Sequence, residues 1–273
     1  MMNTTHTPSP LEARIKQWAA LYGVPLDYLP KTGSTNHAAR EKEYQNGTLV
    51  LAERQTAGRG QRGNRWSSAP GENLTFSVVL HPDFLPVHRQ FYLSKAVCLA
   101  LADTLEGFLD SPAEPAQETG PSPKKKPGGV FIKWPNDIYV GARKIVGILI
   151  ENDLSRETLS RSIVGIGINV NQTRFPAELP NPTSLALETG SAHELTEVLG
   201  AFYRPLGALE EIDRDYLGKI FRLGTDSRFA DGHSGEPFLG TITGVLPGGE
   251  LEVLHSADSR KKHYLFKEIE YLL

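Results

Sequence analysis

Apolar and polar positions along this chain recur with two different periods, which predict helices in some stretches and strands in others. Apolar residues at three- and four-residue spacing over 10–22 and 88–109 are typical of amphipathic helices. Ser9 and the proline after it indicate the N-terminus of the first helix. The stretch 193–217 is also helical in pattern, and Pro205 predicts a kink or break within it.

Short runs of β-branched and large apolar residues, bounded by turn residues, predict the strands. They are 26–29, 48–53, 74–80, 130–134, 139–140, 144–151 and 162–170, and near the C-terminus 238–245, 250–255 and 260–266. A short polar helix follows Asn36 and ends near Gln45. Helices and strands that intermingle and are followed by strands alone predict an α+β fold with a small all-β domain, a five-stranded barrel, at its end.

The domain organisation follows from shifts in composition. Residues 1–8 are expected to be a disordered start, 9–221 a main domain, and 222–273 the small β domain. Residues 110–129 are rich in proline, glycine and charge, and we expect a flexible insertion there.

Composition and charge exclude several classes of protein. The 273 residues include 29 Lys+Arg and 32 Asp+Glu, so the net charge of −3 argues against binding DNA or RNA through bulk cationic charge. The single Cys98 allows no internal disulfide, and its apolar helical surroundings predict a buried structural thiol. Neither a membrane span nor a signal peptide is expected, and a reducing cytoplasm is the compartment predicted.

Glycine and arginine are concentrated in one segment, residues 58–66, which reads GRGQRGNRW. Its glycines leave backbone N–H groups free to wrap an anion, and Arg59, Arg62 and Arg65 add cations with bidentate reach. Trp66 offers a flat face for a purine base. A nucleotide is the ligand that suits this set, and a solvated surface loop is the alternative. The segment matches neither the phosphate-binding P-loop nor the dinucleotide fingerprint.

A second segment, residues 133–137, reads KWPND and follows an apolar strand. Lys133 at the end of that strand is expected either to snorkel to solvent or to hold an anion. Lys144 on the next strand favours the anion site. Asn136 and Asp137 would form a turn on their own.

Two further motifs allow both a structural and a functional interpretation. Glycines alternate within the strand motif GIGINV at 165–170, which indicates either close packing or the approach of a ligand. Ser34-Thr35-Asn36 at 34–36 is typical of a helix N-cap and also suits a polar ligand group.

Taken in chain order, these motifs resemble the biotin protein ligase family. The resembling residues span 34–170 and comprise Ser34-Thr35-Asn36, Gln55, GRGQRGNRW, KWPND with Lys144 and GILIE after it, and GIGINV. The resemblance implies a class II aminoacyl-tRNA synthetase/biotin ligase-like mixed sheet with helices, and an SH3-like barrel at the C-terminus. It implies that biotin and MgATP form biotinyl-5′-AMP and that a lysine of a biotin carboxyl carrier protein then accepts the biotinyl group.

Residue roles follow from the same resemblance. The implied catalytic residues are Lys133, Arg59 and Arg62. Those implied in biotin binding are Ser34, Thr35, Asn36, Gln55, Gly58, Arg59, Gly60, Gln61, Lys133 and Gly165. Those implied in nucleotide binding are Arg62, Trp66, Asn136, Lys144 and Asn169. The Mg²⁺ ligands are not identified, and Asp137 is the one candidate. These roles require that the arginine-bearing loop and Lys133 converge on one pocket.

The chain departs from the family pattern at Gln61, where many members have arginine. Some relatives also carry an N-terminal DNA-binding domain, for which residues 1–25 are too few, so the expectation is a ligase that does not bind DNA, as a monomer or homodimer. A lipoate–protein ligase of the same fold, a non-catalytic biotin or nucleotide-binding module, and an RNA-binding protein are the alternatives.

Overall fold

The computed structural model describes residues 8–109, 129–203 and 209–272, with side chains throughout except at position 62 and at 209–211. The chain divides into two units, Met1–Phe84 with Val146–Tyr203 and Leu85–Ile145 with Arg204–Leu273. The expected insertion at 110–129 and the expected disordered start at 1–8 lie outside the described residues, apart from residues 129 and 8.

Helices and strands have the following bounds. The helices are α1 (Pro10–Tyr22), α2 (Thr35–Arg40), α3 (Phe91–Leu109), α4 (Leu185–Thr189), α5 (Leu195–Phe202) and α6 (Leu209–Gly218). The strands are β1 (Leu26–Leu29), β2 (Thr48–Ala52), β3 (Leu74–Leu80), β4 (Val130–Lys133), β5 (Asp137–Val140), β6 (Arg143–Ser155), β7 (Thr158–Ile168), β8 (Asp226–Asp231), β9 (Pro237–Val245), β10 (Leu251–His255), β11 (Lys261–Tyr264) and β12 (Ile269–Tyr271).

The first unit is built on a mixed sheet in the order β1-β2-β3-β7-β6. β1 and β2 are parallel, and the other neighbours in this order are antiparallel. Helix α1 begins where the Ser9 hydroxyl accepts a hydrogen bond from the Glu12 N–H at 3.1 Å, and it ends at the left-handed Gly23. These are the two ends that the sequence predicts. The mixed sheet with helices confirms the predicted fold class.

The second unit contains α3, α6, the β4–β5 hairpin and the C-terminal sheet. The C-terminal sheet is antiparallel, with the order β11-β10-β9-β8-β12. Its five strands match the predicted number, but the sequence located only β9, β10 and β11. β12 has three residues and β8 begins with polar ones, so neither carries a clear period-two pattern. The domain boundary at 221/222 stays a prediction.

Two helical predictions require comment. Helix α2 ends at Arg40, so the prediction of a helix to about Gln45 was wrong. Lys42 and Tyr44 leave the helix because both side chains bond to the Asp27 carboxylate on β1, the lysine at 2.7 Å. The helical stretch 193–217 consists of α5 and α6, and Pro205 lies outside the described residues.

Candidate functional site

The N-terminus of α2 is capped by a side chain from a distant part of the first unit. Ser34 occupies the N-cap position without a side-chain capping bond. Gln55 Oε1 instead accepts the Thr35 backbone N–H at 2.7 Å and the Thr35 hydroxyl at 3.2 Å. Ser34 thus occupies the N-cap position that the motif predicts, but the side chain that accepts the helix N–H is that of Gln55. The Gln55 amide nitrogen and the Ser34 hydroxyl are not used for the cap.

Asn36 is clamped by protein groups on all sides. Its Nδ2 donates to Leu149 O at 3.2 Å and to Glu151 Oε2 at 2.8 Å, and its Oδ1 accepts from the Ser77 hydroxyl at 2.8 Å. The side chain is 3% exposed. Because both N–H donors of this amide are in use, Asn36 fixes the site rather than offering donors to a ligand.

Gly165 on β7 makes room for Asn36. A Cβ added at Gly165 would lie 2.0 Å from Asn36 Oδ1, a distance that no side chain tolerates. Of the two interpretations of the glycine motif, close packing holds at Gly165, because a side chain of the protein itself fills the space beside the strand.

Gly167 plays the same part for Trp66. A Cβ there would lie 2.2 Å from Trp66 Cε2, so the indole packs directly on the backbone of β7. Trp66 is half-buried and leaves part of its ring accessible. An aromatic face held against a strand in this way is a platform on which a base can stack.

The glycine–arginine loop, residues 58–66, folds back on itself. The Trp66 N–H donates to Gly58 O at 3.0 Å, the Gly60 N–H donates to Asn64 O at 2.7 Å, and Arg59 and Arg65 form an antiparallel bridge. A Cβ at Gly58 would lie 2.4 Å from Trp66 O, so the closed loop requires glycine there. Gln61 begins a short 3-10 turn. The Arg62 side chain lies outside the described part of the structure.

Arg59 and Arg65 are both exposed in the described part of the loop, and Arg59 lies beside a carboxylate. The Arg59 side chain is 61% exposed, and its Nη1 lies 4.0 Å from Glu151 Oε1, the carboxylate that also holds Asn36. The cation is thus loosely held and is accessible to a negatively charged ligand.

Asn169 follows β7 and is 4% exposed. Its Nδ2 donates to Thr183 O at 2.9 Å, whereas its Oδ1 is buried and has no partner among the described residues. A buried acceptor without a donor is costly, so it suits a ligand that supplies an N–H group.

Asn73 and Gln172 hold the segment after Trp66 in place, and the sequence did not point to either. Asn73 Nδ2 donates to Gln172 Oε1 at 2.6 Å, and Asn73 Oδ1 accepts the Val170 N–H at 2.8 Å. Gln172 Oε1 also accepts the Ala69 N–H at 3.0 Å. Both amides are buried, so together they attach this segment to the chain that follows β7. Ser77 and Glu151 were missed as well, and no local pattern marks any of the four.

In the second unit, Lys133 ends β4 and is half-buried. Its Nζ donates to the Tyr139 hydroxyl at 3.3 Å. Burial lowers the pKa of Lys133 below its ordinary value of 10.5, although Asp137 opposes the shift. A partly desolvated ammonium interacts more strongly with an anion than one in bulk water does.

Trp134, the next residue, is a structural anchor. It is 5% exposed, its Nε1 donates to Gly249 O at 2.8 Å, and its ring packs edge-on against Phe266. Gly249 has a φ of +101°, and a Cβ there would lie 2.7 Å from the Phe91 ring. The tryptophan of KWPND thus fixes the position of the residue before it.

Asp137 pairs with Lys144 at 2.7 Å. Asp137, the predicted candidate for a metal ligand, therefore already neutralises the Lys144 ammonium. No group of three or more His, Cys, Asp or Glu side chains suited to a metal occurs within 8–109, 129–203 and 209–272.

The predicted site residues fall in both units. The first unit contains Ser34, Thr35, Asn36, Gln55, Gly58, Arg59, Gly60, Gln61, Arg62, Trp66, Gly165 and Asn169, and the second contains Lys133, Asn136, Asp137 and Lys144. Within the first unit the structure brings Thr35, Asn36, Gln55 and Gly165 into one bonded cluster, and it packs Trp66 beside Gly58 and Gly167.

Two other observations concern the whole of the described chain. Cys98 is a free, fully buried thiol, and burial raises its pKa, as its predicted structural role implies. None of the described helices combines the length and the apolar character that crossing a membrane requires.

Comparison with known proteins gives a consistent result. Residues 28–169 match the biotin/lipoate A/B protein ligase family. The chain is 30% identical over 251 residues to the bifunctional ligase/repressor BirA of Bacillus spizizenii, covering 87% of this chain and 70% of that protein. It is 34% identical over 173 residues to the biotin–[acetyl-CoA-carboxylase] ligase of Mycobacterium tuberculosis, covering 61% of this chain and 56% of that protein.

A solved structure agrees with these sequence matches. The biotin protein ligase from Aquifex aeolicus in complex with biotin and ATP is similar with a TM-score of 0.67 at 26% identity. The similarity covers 90% of this chain and 97% of that one.

Proposed function

The chain belongs to the biotin/lipoate A/B protein ligase family, and we propose that it is a member that joins biotin to a protein. It activates biotin as biotinyl-5′-AMP at the expense of ATP and transfers the biotinyl group to a lysine of a biotin carboxyl carrier domain. The relatives named as biotin ligases and the one solved with biotin and ATP support this assignment.

The observation that carries the choice of biotin is the buried polar cluster at the N-terminus of α2. Ser34 and Thr35 are 5% and 4% exposed, and Gln55 Oε1 is fixed on Thr35. Thr35 and Gln55 Oε1 bond to each other, so the groups that the cap leaves for a ligand are the Ser34 hydroxyl and the Gln55 amide nitrogen. Biotin's ureido ring offers two N–H donors and a carbonyl acceptor, which suit these two groups. The lipoyl ring offers neither, so binding it here would bury the Ser34 hydroxyl without a ligand partner.

Trp66 and Asn169 support the ATP half of the proposal. The indole presents a fixed face for adenine, and the buried Asn169 Oδ1 accepts a hydrogen bond from the adenine amino group. A guanine, with a carbonyl at that position, would place two acceptors opposite each other. We therefore expect ATP to be preferred over GTP.

The first step needs charge neutralisation more than proton transfer. Biotin's carboxyl resembles that of glutamate, with a pKa of about 4.3, so it is ionised at neutral pH. The carboxylate oxygen attacks the α-phosphorus of ATP, a new P–O bond forms, and pyrophosphate leaves. Lys133 and Arg59 offset the repulsion between the two anions, and phosphate oxygens are held by Arg62 and by Lys144, whose charge is shared with Asp137. Asn136 and the backbone at Gly60 and Gln61 position the ligands.

The second step needs an amine from outside the chain. The ε-amine of the carrier's lysine attacks the acyl carbon of biotinyl-5′-AMP, an amide bond forms, and AMP leaves. The nucleophile belongs to the partner, so no serine or cysteine nucleophile of this chain takes part.

We propose that magnesium binds together with ATP. Asp137 is paired with Lys144, and one carboxylate is a poor site for Mg²⁺ without phosphate oxygens. We therefore treat MgATP as the substrate and assign the ion to no residue. We also propose a cytoplasmic location, because ATP and the carrier domain are both needed there.

Pyrophosphate release tests the proposal directly. The protein is incubated with MgATP and either biotin or lipoate, and pyrophosphate is measured over time. We expect release with biotin and little with lipoate. Faster release with lipoate would identify a lipoate ligase, and binding of biotin and ATP without release would identify a non-catalytic module.

A further inference from the structure

The ammonium of Lys133 lies against two tyrosine rings, one from its own hairpin and one from the last strand of the C-terminal sheet. Lys133 Nζ is 5.2 Å from the ring centroid of Tyr139 and 5.2 Å from that of Tyr271. Both tyrosines are buried, with 3% and 8% exposure. Because a cation is attracted to an aromatic face at this distance, the two rings restrict where the ammonium lies.

The Tyr271 ring is itself held firmly. Tyr271 stands opposite Phe229 in the β12–β8 register, and the two ring centroids are 5.3 Å apart. Phe221 packs against both tyrosines, 6.1 Å from Tyr271 and 5.9 Å from Tyr139. The Phe221 N–H donates to Ile132 O, next to Lys133, at 2.9 Å. Phe221 thus connects the Tyr271 ring to β4, the strand that carries Lys133.

The two tyrosines differ in the group that they offer. Tyr139 accepts a hydrogen bond from Lys133 Nζ through its hydroxyl at 3.3 Å. The Tyr271 hydroxyl is buried and has no partner within the described residues. Its contribution to Lys133 is therefore the face of the ring.

We propose that Tyr271 is a positioning residue for adenylate formation, whose ring face holds the Lys133 ammonium where it neutralises the biotin carboxylate and the α-phosphate. The inference rests on the proposed function, and it gives the last strand of the C-terminal sheet a part in the first half-reaction. No motif in the sequence points to this residue.

Three variants test the proposal in the full chain. Tyr271→Leu removes the aromatic face, Tyr271→Phe keeps the face and removes the hydroxyl, and Tyr264→Leu is the control. Tyr264 is a tyrosine of the same sheet with a similar exposure of 7%, and it packs on Phe238. Pyrophosphate release with biotin and MgATP gives kcat and the KM for biotin, and thermal melting reports the stability of each variant.

We expect Tyr271→Leu to lower kcat about tenfold while the KM for biotin changes little. Tyr271→Phe should keep nearly all of the wild-type kcat, and Tyr264→Leu should lose stability without this selective loss of kcat. The proposal is overturned if Tyr271→Phe is as slow as Tyr271→Leu, or if Tyr264→Leu lowers kcat equally.

A spectroscopic measurement keeps the test independent of activity and of the leucine variant's stability. In protein with ¹³C-labelled lysine, the Lys133 ε-methylene protons should be shifted upfield by the two rings, and Lys133→Arg assigns the signal. Wild-type protein without that shift would rule out the contact. A shift in protein that releases no pyrophosphate from biotin and ATP would refute the proposed function and leave the contact standing.

Discussion

Two regions of the molecule hold a cation in opposite environments, one exposed to solvent and one half-buried. The glycine–arginine loop at 58–66 presents Arg59 on a backbone closed by glycines, with the side chain 61% exposed. The β4–β5 hairpin presents Lys133 half-buried between tyrosine rings. Under the proposed function we infer a division of work, in which the hairpin holds a preorganised charge and the loop supplies an exposed charge that would close over bound ligand. Preorganised charge contributes most to the transition state, and a closing loop contributes most to retention.

The largest effect is expected when the preorganised cation is removed. Lys133→Ala should lower the rate of pyrophosphate release between about 100- and 1,000-fold. Because the side chain is only half-buried, the free energy of unfolding should change by less than about 1 kcal/mol. Stopped-flow or coupled assays measure the rate, and exposed Lys262→Ala is the control. Equal activity of the two variants would refute the role of Lys133.

The platform under the loop should give the next largest effect. Gly167→Ala places a Cβ 2.2 Å from Trp66 Cε2, so the indole must move off the strand. We expect the KM for ATP to rise about 30-fold, as for loss of a stacking contact, with a smaller change in biotin affinity. Steady-state kinetics with each substrate measures both. Gly218→Ala, where a Cβ meets no atom within 4 Å, is the matched control. An unchanged KM for ATP would show that Trp66 does not bind the nucleotide.

Removing the exposed cation at Arg59 should have a moderate effect of a different kind. Arg59→Gly should let biotinyl-5′-AMP escape about tenfold faster, because one charge-assisted contact to the intermediate is lost. Escaped intermediate acylates lysines of bystander proteins, so biotin incorporation into added albumin measures it. Unchanged retention of the intermediate would contradict closure by this loop.

The smallest effect concerns pH. Burial lowers the pKa of Lys133, so the charge is lost at a lower pH than in an exposed lysine. The protonated form therefore costs stability below the folded-state pKa, and this cost disappears as the pH rises through that pKa toward 10.5. We expect kcat/KM to fall by about half where the pH equals the pKa of Lys133 in the free protein.

Lys133→Arg sharpens this prediction because arginine stays charged at high pH. The variant should have a lower kcat but a flatter alkaline limb. An alkaline limb identical to that of the wild type would show that another group titrates.

Elements that depend on local pattern were predictable, as β3 and the two ends of α1 show. The structure accounts for two glycines of the motifs, Gly58 and Gly165, because a Cβ at either position would collide with a neighbouring group. Their roles in binding biotin stay predictions. Sequence could not show that Gln55 rather than Ser34 caps α2, because capping depends on which side chain the folded chain delivers. Asn73 with Gln172, and Lys133 with Tyr271, are pairs separated by about a hundred residues or more, and their partner choice is a tertiary property.

Gly165 and Gly167 stand two residues apart on one face of β7, and each is covered by a different side chain. The pleat of a strand sets that interval at about 6.6 Å. If the cluster at Gly165 binds biotin and Trp66 binds adenine, as we propose, strand β7 sets the spacing of the two subsites by covalent geometry rather than by a loop. An analogue of biotin longer by a single methylene would place its acid group out of step with the nucleotide, so chain length becomes a criterion of substrate choice.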